Sequence, residues 1–304
     1  LDLGDQDYSI RLWDINQPEK APMRLRKHTS RVMGLAFSPN GRWMASGDEW
    51  GTTLLWDLQD LQAVPTVMDN NPYSHSGGRA LAFSPDSNWL AGGGGALEDM
   101  GVWNLTASSF PFTRLTPTLN YIKDVVFFPD NRTIAASADG PTVYFWNLGP
   151  AEDQSPQFPS ITDVETIALS ADGRLLAGAG KAGGVRLWNM FEPKADPARL
   201  VEPIGLFATQ GDEQSSTFYA SLDFSRDGSL LAASIRDDQE RGSILVWDLR
   251  DVKALPRELK WSRYYSTDLS FSPNGKWLAA SSYDGQVRVW YVDKLEDDPR
   301  TLSK

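Results

Sequence analysis

The chain has 304 residues, of which 41% are hydrophobic and 23% charged, the ordinary balance of a globular protein. A net charge of −11 disfavours a phosphate-binding surface, because Lys and Arg supply most nucleic-acid affinity. The lack of cysteine excludes disulfides, thiolate metal sites and a Cys nucleophile, and two histidines leave little for a transition metal. No apolar run reaches the ~18–20 residues of a membrane span and no signal peptide is visible at Leu1, so the expected setting is cytoplasmic, with neither nucleic acid nor membrane as partner.

In chain order, a short β-rich run ends on a tryptophan seven times, at Trp13, Trp56, Trp103, Trp146, Trp188, Trp247 and Trp290, with spacings of 43, 47, 43, 42, 59 and 43 residues. Examples are Ser9-Ile10-Arg11-Leu12-Trp13-Asp14 and Val185-Arg186-Leu187-Trp188-Asn189. From the second onward, each Trp follows a turn: Phe37-Ser38-Pro39-Asn40-Gly41, Phe83-Ser84-Pro85-Asp86-Ser87, Phe128-Pro129-Asp130-Asn131, Leu169-Ser170-Ala171-Asp172-Gly173, Phe224-Ser225-Arg226-Asp227-Gly228 and Phe271-Ser272-Pro273-Asn274-Gly275. Pro presets φ, and Asn/Asp-Gly tolerates the positive φ of a tight hairpin. Alternating segments such as 32–37 and 220–224 precede the turn as inner strands. Second strands follow it (43–46, 89–92, 230–233), then a third ending at the Trp, then a less regular fourth such as 256–259.

A repeat of ~40–45 residues with Trp-Asp endings resembles the WD-repeat family over essentially the whole chain. The resemblance implies an all-β fold, a seven-bladed β-propeller in one domain, residues 1–304. Leu1 to Asp7 aligns with the end of a second strand and its turn, so the first blade is expected to lack its inner strand and the chain to be an excerpt of a longer one. The family also implies a hydrogen-bonded tetrad of His, Ser/Thr, Trp and an Asp six residues before the Trp. His28 aligns with Ser46 and Trp56, but Trp50 holds the Asp position, so no complete tetrad is expected.

Motifs that suggest chemistry have plainer readings. Gly178-Ala179-Gly180-Lys181-Ala182-Gly183-Gly184 has Leu175 and Ala182 where a P-loop needs Gly and Ser/Thr, and it reads as a hairpin turn. Gly92 to Gly95 occupies the equivalent turn. Ser74-His75-Ser76 lacks an orienting carboxylate, and adjacent residues of an extended chain point apart. Asp237-Asp238-Gln239-Glu240 lacks the alternating ligands of a calcium loop and reads as a solvated acidic loop, with weak ion binding left open. No catalytic residue, cofactor or metal is expected.

Ten tryptophans belong to the repeat, including Trp43, Trp89 and Trp277 at the start of second strands; Trp50 and Trp261 do not. The loops that carry these two open on one face of a propeller, together with Arg31, Tyr121, Lys123, Phe218, Tyr219, Arg263, Tyr264 and Tyr265. Large aromatics and Arg are what protein-binding hot spots use. The expected function is therefore a non-catalytic interaction or ligand-sensing scaffold that binds a protein or peptide. The uniform turns resemble the WD-repeat arrays of bacterial signalling proteins, which implies a module of a larger regulatory chain. Two alternatives stay open. One is a propeller enzyme using channel carboxylates, with Asp124 and Glu165 among the inner-strand positions Met33, Arg79, Ala220 and Thr267. The other is half of a tandem double propeller acting in self-assembly.

Overall fold

The computed structural model describes residues 7–68, 80–93, 100–115, 122–138, 142–149, 161–162, 164–180, 184–192, 194–200, 218–236 (backbone only at 218–220), 242–259, 266–282 and 284–302. The chain divides into two compact units, Leu1–Ser155 and Pro156–Lys304.

The first unit begins with a two-stranded sheet, β1 (Ile10–Leu12) and β2 (Met23–Leu25). The next sheet is β3 (Val32–Phe37), β4 (Trp43–Asp48), β5 (Thr53–Asp57) and β6 (Thr66–Val67). Then come β7 (Ala80–Phe83), β8 (Trp89–Gly93), β9 (Met100–Asn104) and β10 (Phe112–Leu115), followed by the three-stranded sheet of β11 (Ile122–Phe127), β12 (Thr133–Ala138) and β13 (Val143–Asn147). The second unit holds three four-stranded sheets. Their strands are β14 (Thr166–Leu169), β15 (Leu175–Gly180), β16 (Gly184–Asn189) and β17 (Ala198–Arg199); β18 (Phe218–Phe224), β19 (Leu230–Arg236), β20 (Gly242–Asp248) and β21 (Arg257–Leu259); and β22 (Ser266–Phe271), β23 (Trp277–Ser282), β24 (Val287–Tyr291) and β25 (Arg300–Leu302). Every sheet is an antiparallel meander in sequence order, and the only helix among the described residues is a 3₁₀ turn at Val292–Lys294.

The all-β blades expected from the repeat are present, six among the described residues rather than the seven expected. The first repeat contributes only the β1–β2 pair among the described residues, because its third and fourth strands have no described inner pair to extend. Blades stack on mixed clusters. Leu222 and Phe224 of one blade share a core with Ala177, Leu187 and Leu200 of the blade before it, and Leu269 and Phe271 do the same with Ala232, Ile244 and Val246.

The six inner hairpin turns share one conformation. Gly41, Gly173, Gly228 and Gly275 adopt φ of 69–71°, and Ser87 and Asn131 take the same left-handed place at 63° and 60°. Asn131 therefore matches Gly41, which makes Phe127 the counterpart of Phe37 and puts Phe128 in the position of Ser38. Backbone bonds agree: Phe128 N donates to Thr133 O as Ser38 N donates to Trp43 O. The sequence frame anchored on Phe128 is thus one residue off, since the doubled Phe hides the true landmark. The missing turn serine is replaced by Asp130, which accepts from the Thr133 N–H and hydroxyl.

Candidate functional site

A four-membered polar array in the second sheet corrects the expectation that no tetrad can form. Strand periodicity places Met44, Ser46 and Asp48 on one face of β4, and the cross-strand register sets Trp56 opposite Met44. His28, in the segment before β3, reaches both polar residues. The Trp56 indole donates to Ser46 Oγ (2.8 Å), the Ser46 hydroxyl to His28 Nε2 (2.7 Å) and His28 Nδ1–H to Asp48 Oδ2 (3.0 Å). An indole N–H can only donate and a carboxylate only accept, which sets that direction. The acid comes from the end of β4, two residues beyond Ser46, and not from the turn position held by Trp50. A fixed offset from the Trp missed it; the i, i+2 relation to Ser46 was the available signal.

Ser46, His28 and Asp48 have the connectivity of a hydrolytic triad. Ser46 and Asp48 are fully buried and the His28 side chain nearly so, and Ser46 Oγ already accepts the Trp56 indole. A nucleophile needs a substrate within reach, and none can approach this hydroxyl. The array's work is mechanical. Asp48 Oδ1 accepts the N–H groups of Trp50 (3.1 Å) and Thr52 (2.9 Å), and Gly51, at φ 91°, donates to Asp48 O. Glu49 N donates to Arg31 O (2.8 Å). The buried carboxylate thereby pins a turn on which Trp50 stands 64% exposed, beside the exposed Arg31.

Of the residues expected to form a partner face, the structure brings together Trp50 and Arg31. Lys123 is half-buried on β11. Phe218 and Tyr219 lie on β18, with side chains outside the described set. Tyr121, Trp261, Arg263, Tyr264 and Tyr265 lie outside the described residues, as do Ser74 to Ser76, Arg79 and the acidic loop 237–240.

The glycine motifs are packing sites. Gly180 pairs with Gly184 across the hairpin between β15 and β16. A Cβ on Gly178 would come within 2.8 Å of Val164 and 3.0 Å of the Trp188 ring, and one on Gly92 within 2.8 Å of the Trp103 ring. Both glycines sit where Ser46 sits in the second sheet, each paired with the residue two before its blade's Trp. In the blade of Gly92 the Trp103 Nε1 is buried without a partner.

The proposed pair of channel carboxylates takes a different form. The corrected frame makes Lys123, not Asp124, the counterpart of Glu165, and Asp124 and Glu165 belong to different units. Asp124 instead matches Asp268: each follows a register shift in its inner strand, and each accepts its successor's N–H at 2.9 Å. Met33 is half-buried, Thr267 is exposed and bonded to Ser281, and Ala220 lies on β18.

In the second unit two acids clasp adjacent blades reciprocally. Asp223 on β18 accepts from Phe271 N (2.7 Å) and Ser270 Oγ (3.1 Å) of β22, while Asp268 on β22 accepts from Ser221 Oγ (2.8 Å) of β18. Burial pushes the Asp223 carboxyl up to about 7, against its hydrogen bonds, and the nearby Asp268 adds to the rise. Burial raises Asp268 as well, although part of that residue's surface stays open to solvent. The folded state therefore holds a proton that the unfolded chain releases. This contribution to stability is full below about pH 4 and is lost as pH rises through about 7. Asp223→Asn is expected to shrink the fall in unfolding free energy between pH 5 and pH 8 by on the order of 1–2 kcal/mol, allowing for solvent screening. Urea titrations at the two pH values check it, and parallel pH profiles would remove Asp223 as the cause.

Among the described residues no cluster of acidic or histidine side chains is placed to hold a metal ion, and no helix is long and apolar enough to cross a membrane. The family described as "WD domain, G-beta repeat" matches residues 20–57 and 263–291, the first stretch running from β2 to the end of β5 and including all four tetrad residues. These two stretches match the WD40 repeat. Proteins similar to the chain include the small ribosomal subunit protein RACK1y of Oryza sativa subsp. japonica, 26% identical over 95% of this chain and 87% of that protein. The small ribosomal subunit protein RACK1 of Caenorhabditis elegans is 28% identical, with the same two coverages. The target of rapamycin complex subunit wat1 of Schizosaccharomyces pombe is 22% identical over 65% of this chain and 48% of its own length. These relatives are eukaryotic and lend no support to a bacterial signalling type.

Proposed function

We propose that this WD40 chain is a non-catalytic scaffold whose module spans residues 1–304 and binds a protein or peptide through the face that carries Trp50 and Arg31. The observation that carries the proposal is a largely exposed tryptophan on a turn pinned from beneath by the buried Asp48 network. Displaying an indole in water is unfavourable for an isolated chain, and a rigid mount lowers the entropy lost when a partner covers it. Trp and Arg are the side chains most enriched at binding hot spots. The relatives' names place them in a ribosomal subunit and in a multi-subunit complex, which accords with a part in an assembly. A net charge of −11 favours a protein contact over a nucleic-acid one. The cytoplasmic setting and the bacterial regulatory context are parts of the same proposal; the second rests on the uniform turns alone.

Trp50→Ala is expected to leave the melting temperature unchanged, since the side chain packs little, and to weaken partner binding by at least tenfold. Parallel capture from native lysate by the wild type and the variant checks this. An identical set of bound proteins would rule out Trp50 as the contact.

A further inference from the structure

The surface around Trp50 is locally basic although the chain is acidic overall. Residues 20–47 are the longest stretch without Asp or Glu in a chain of net charge −11, and they hold six Lys or Arg. Three of these cations are already engaged. Arg24 and Arg26 bridge to Asp7 (3.0 and 3.4 Å), and Arg42 to Asp57 (3.3 Å). Lys27 and Arg31 are exposed and make no ion pair among the described residues.

Both of these cations stand on the segment that the buried array fixes. Exposure alternates along it: Lys27, Thr29 and Arg31 face water, while Ser30 and the His28 side chain are buried. His28 ties the segment to Ser46 and Asp48, and Arg31 O accepts the Glu49 N–H at the start of the Trp50 turn. The next residue, Val32, pairs with Asp48, whose carboxylate accepts the Trp50 N–H. One network therefore mounts Lys27, Arg31 and Trp50 together. Of residues 27–32 and 48–52, Glu49 is the one exposed acid.

We infer that this surface docks an acidic peptide segment of a partner protein, with carboxylates that meet Lys27 and Arg31 and an apolar side chain that covers the Trp50 indole. Cations held in place lose little freedom on binding, and complementary charge speeds encounter and rejects basic segments. A nucleic acid also brings negative charge, but its affinity grows with the number of phosphates neutralised. Two unpaired cations beside Glu49, on a chain of net charge −11, supply few such contacts. The inference rests on the scaffold reading of Trp50 and deepens it by giving the partner's chemistry.

The probe is a short labelled peptide that alternates glutamate and leucine, with a twin that has glutamine in place of glutamate. Fluorescence anisotropy is expected to show saturable 1:1 binding of the glutamate peptide to the full chain, and at least tenfold weaker binding of the twin. Lys27→Glu/Arg31→Glu should weaken the glutamate peptide at least tenfold with an unchanged melting temperature, because both side chains are already in water. Trp50→Ala should weaken it as well. Lys253→Glu/Lys276→Glu reverses two exposed lysines of the second unit, reaches the same net charge and should leave binding as it is. Raising salt from about 0.1 to about 1 M should loosen the complex, as the screening length falls from about 10 to about 3 Å.

No saturable binding, equal binding of the twin, or equal losses in the two charge-reversal variants overturns the acidic partner. The Trp50 contact itself then still stands or falls on the capture experiment. Unchanged peptide binding by Trp50→Ala would separate the cations from the indole and overturn the single surface. A labelled oligothymidylate that binds more tightly than the peptide, and is lost in the Lys27→Glu/Arg31→Glu variant, overturns the inference in favour of a nucleic acid. A wild-type dimer in sedimentation that the same variant abolishes overturns it in favour of a second copy.

Discussion

Asp48→Ala is expected to lower the unfolding free energy by about 3–5 kcal/mol, the range found when one partner of a buried charged hydrogen-bond network is removed. The variant strands a buried His28 N–H and two backbone donors, at Trp50 and Thr52, that the carboxylate had satisfied. A buried donor without a partner costs ~1–3 kcal/mol, so the three together reach this range even if water repays part at the turn. Urea denaturation measures the loss, and hydrogen exchange at the Trp50 and Thr52 amides should quicken alongside it. Asp48→Asn, which keeps an acceptor for the turn, should lose less. A change under ~1 kcal/mol for the alanine variant would mean that the array does not hold the sheet. Partner binding should weaken as well, since the turn presenting Trp50 would lose its mount.

Trp247→Ala is expected to cost about 3–5 kcal/mol by a different route, the loss of transferred apolar surface plus an unfilled cavity. Trp247 is among the largest fully buried side chains and lies in the cluster joining the blades of β14–β17 and β18–β21. Its neighbours Ala177, Ala233 and Leu245 stand on paired strands that cannot collapse into the space without breaking register. Trp247→Phe should recover more than half of the loss. A melting curve for the alanine variant that overlays the wild type would show that the ladder tryptophan is not structural.

Much of the blade pattern was legible because it is local. Alternation, Pro-Asn/Asp-Gly turns and a Trp at the end of a third strand each operate within about twenty residues, and the structure returns them in six blades. The frame slipped at Phe127-Phe128, where two identical residues gave composition no means to choose; only the left-handed φ at Asn131 decided it. The first repeat was expected to count as a seventh blade, but among the described residues it supplies only the pair of β1 and β2 beside Trp13.

By itself the sequence determined the all-β repeat, the phase of most strands and the identity of Trp50 as a tryptophan the scaffold does not require, since these follow from period and turn chemistry. The tertiary structure alone decided that Asp48 completes the tetrad, that Asp223 and Asp268 clasp neighbouring blades, and that Leu35 and Phe37 are open to solvent. The reason is common to all three. Hydrogen-bond partnership and burial depend on which side chains converge in space, and residues 20 to 48 positions apart meet only after the strands have paired and the blades have stacked.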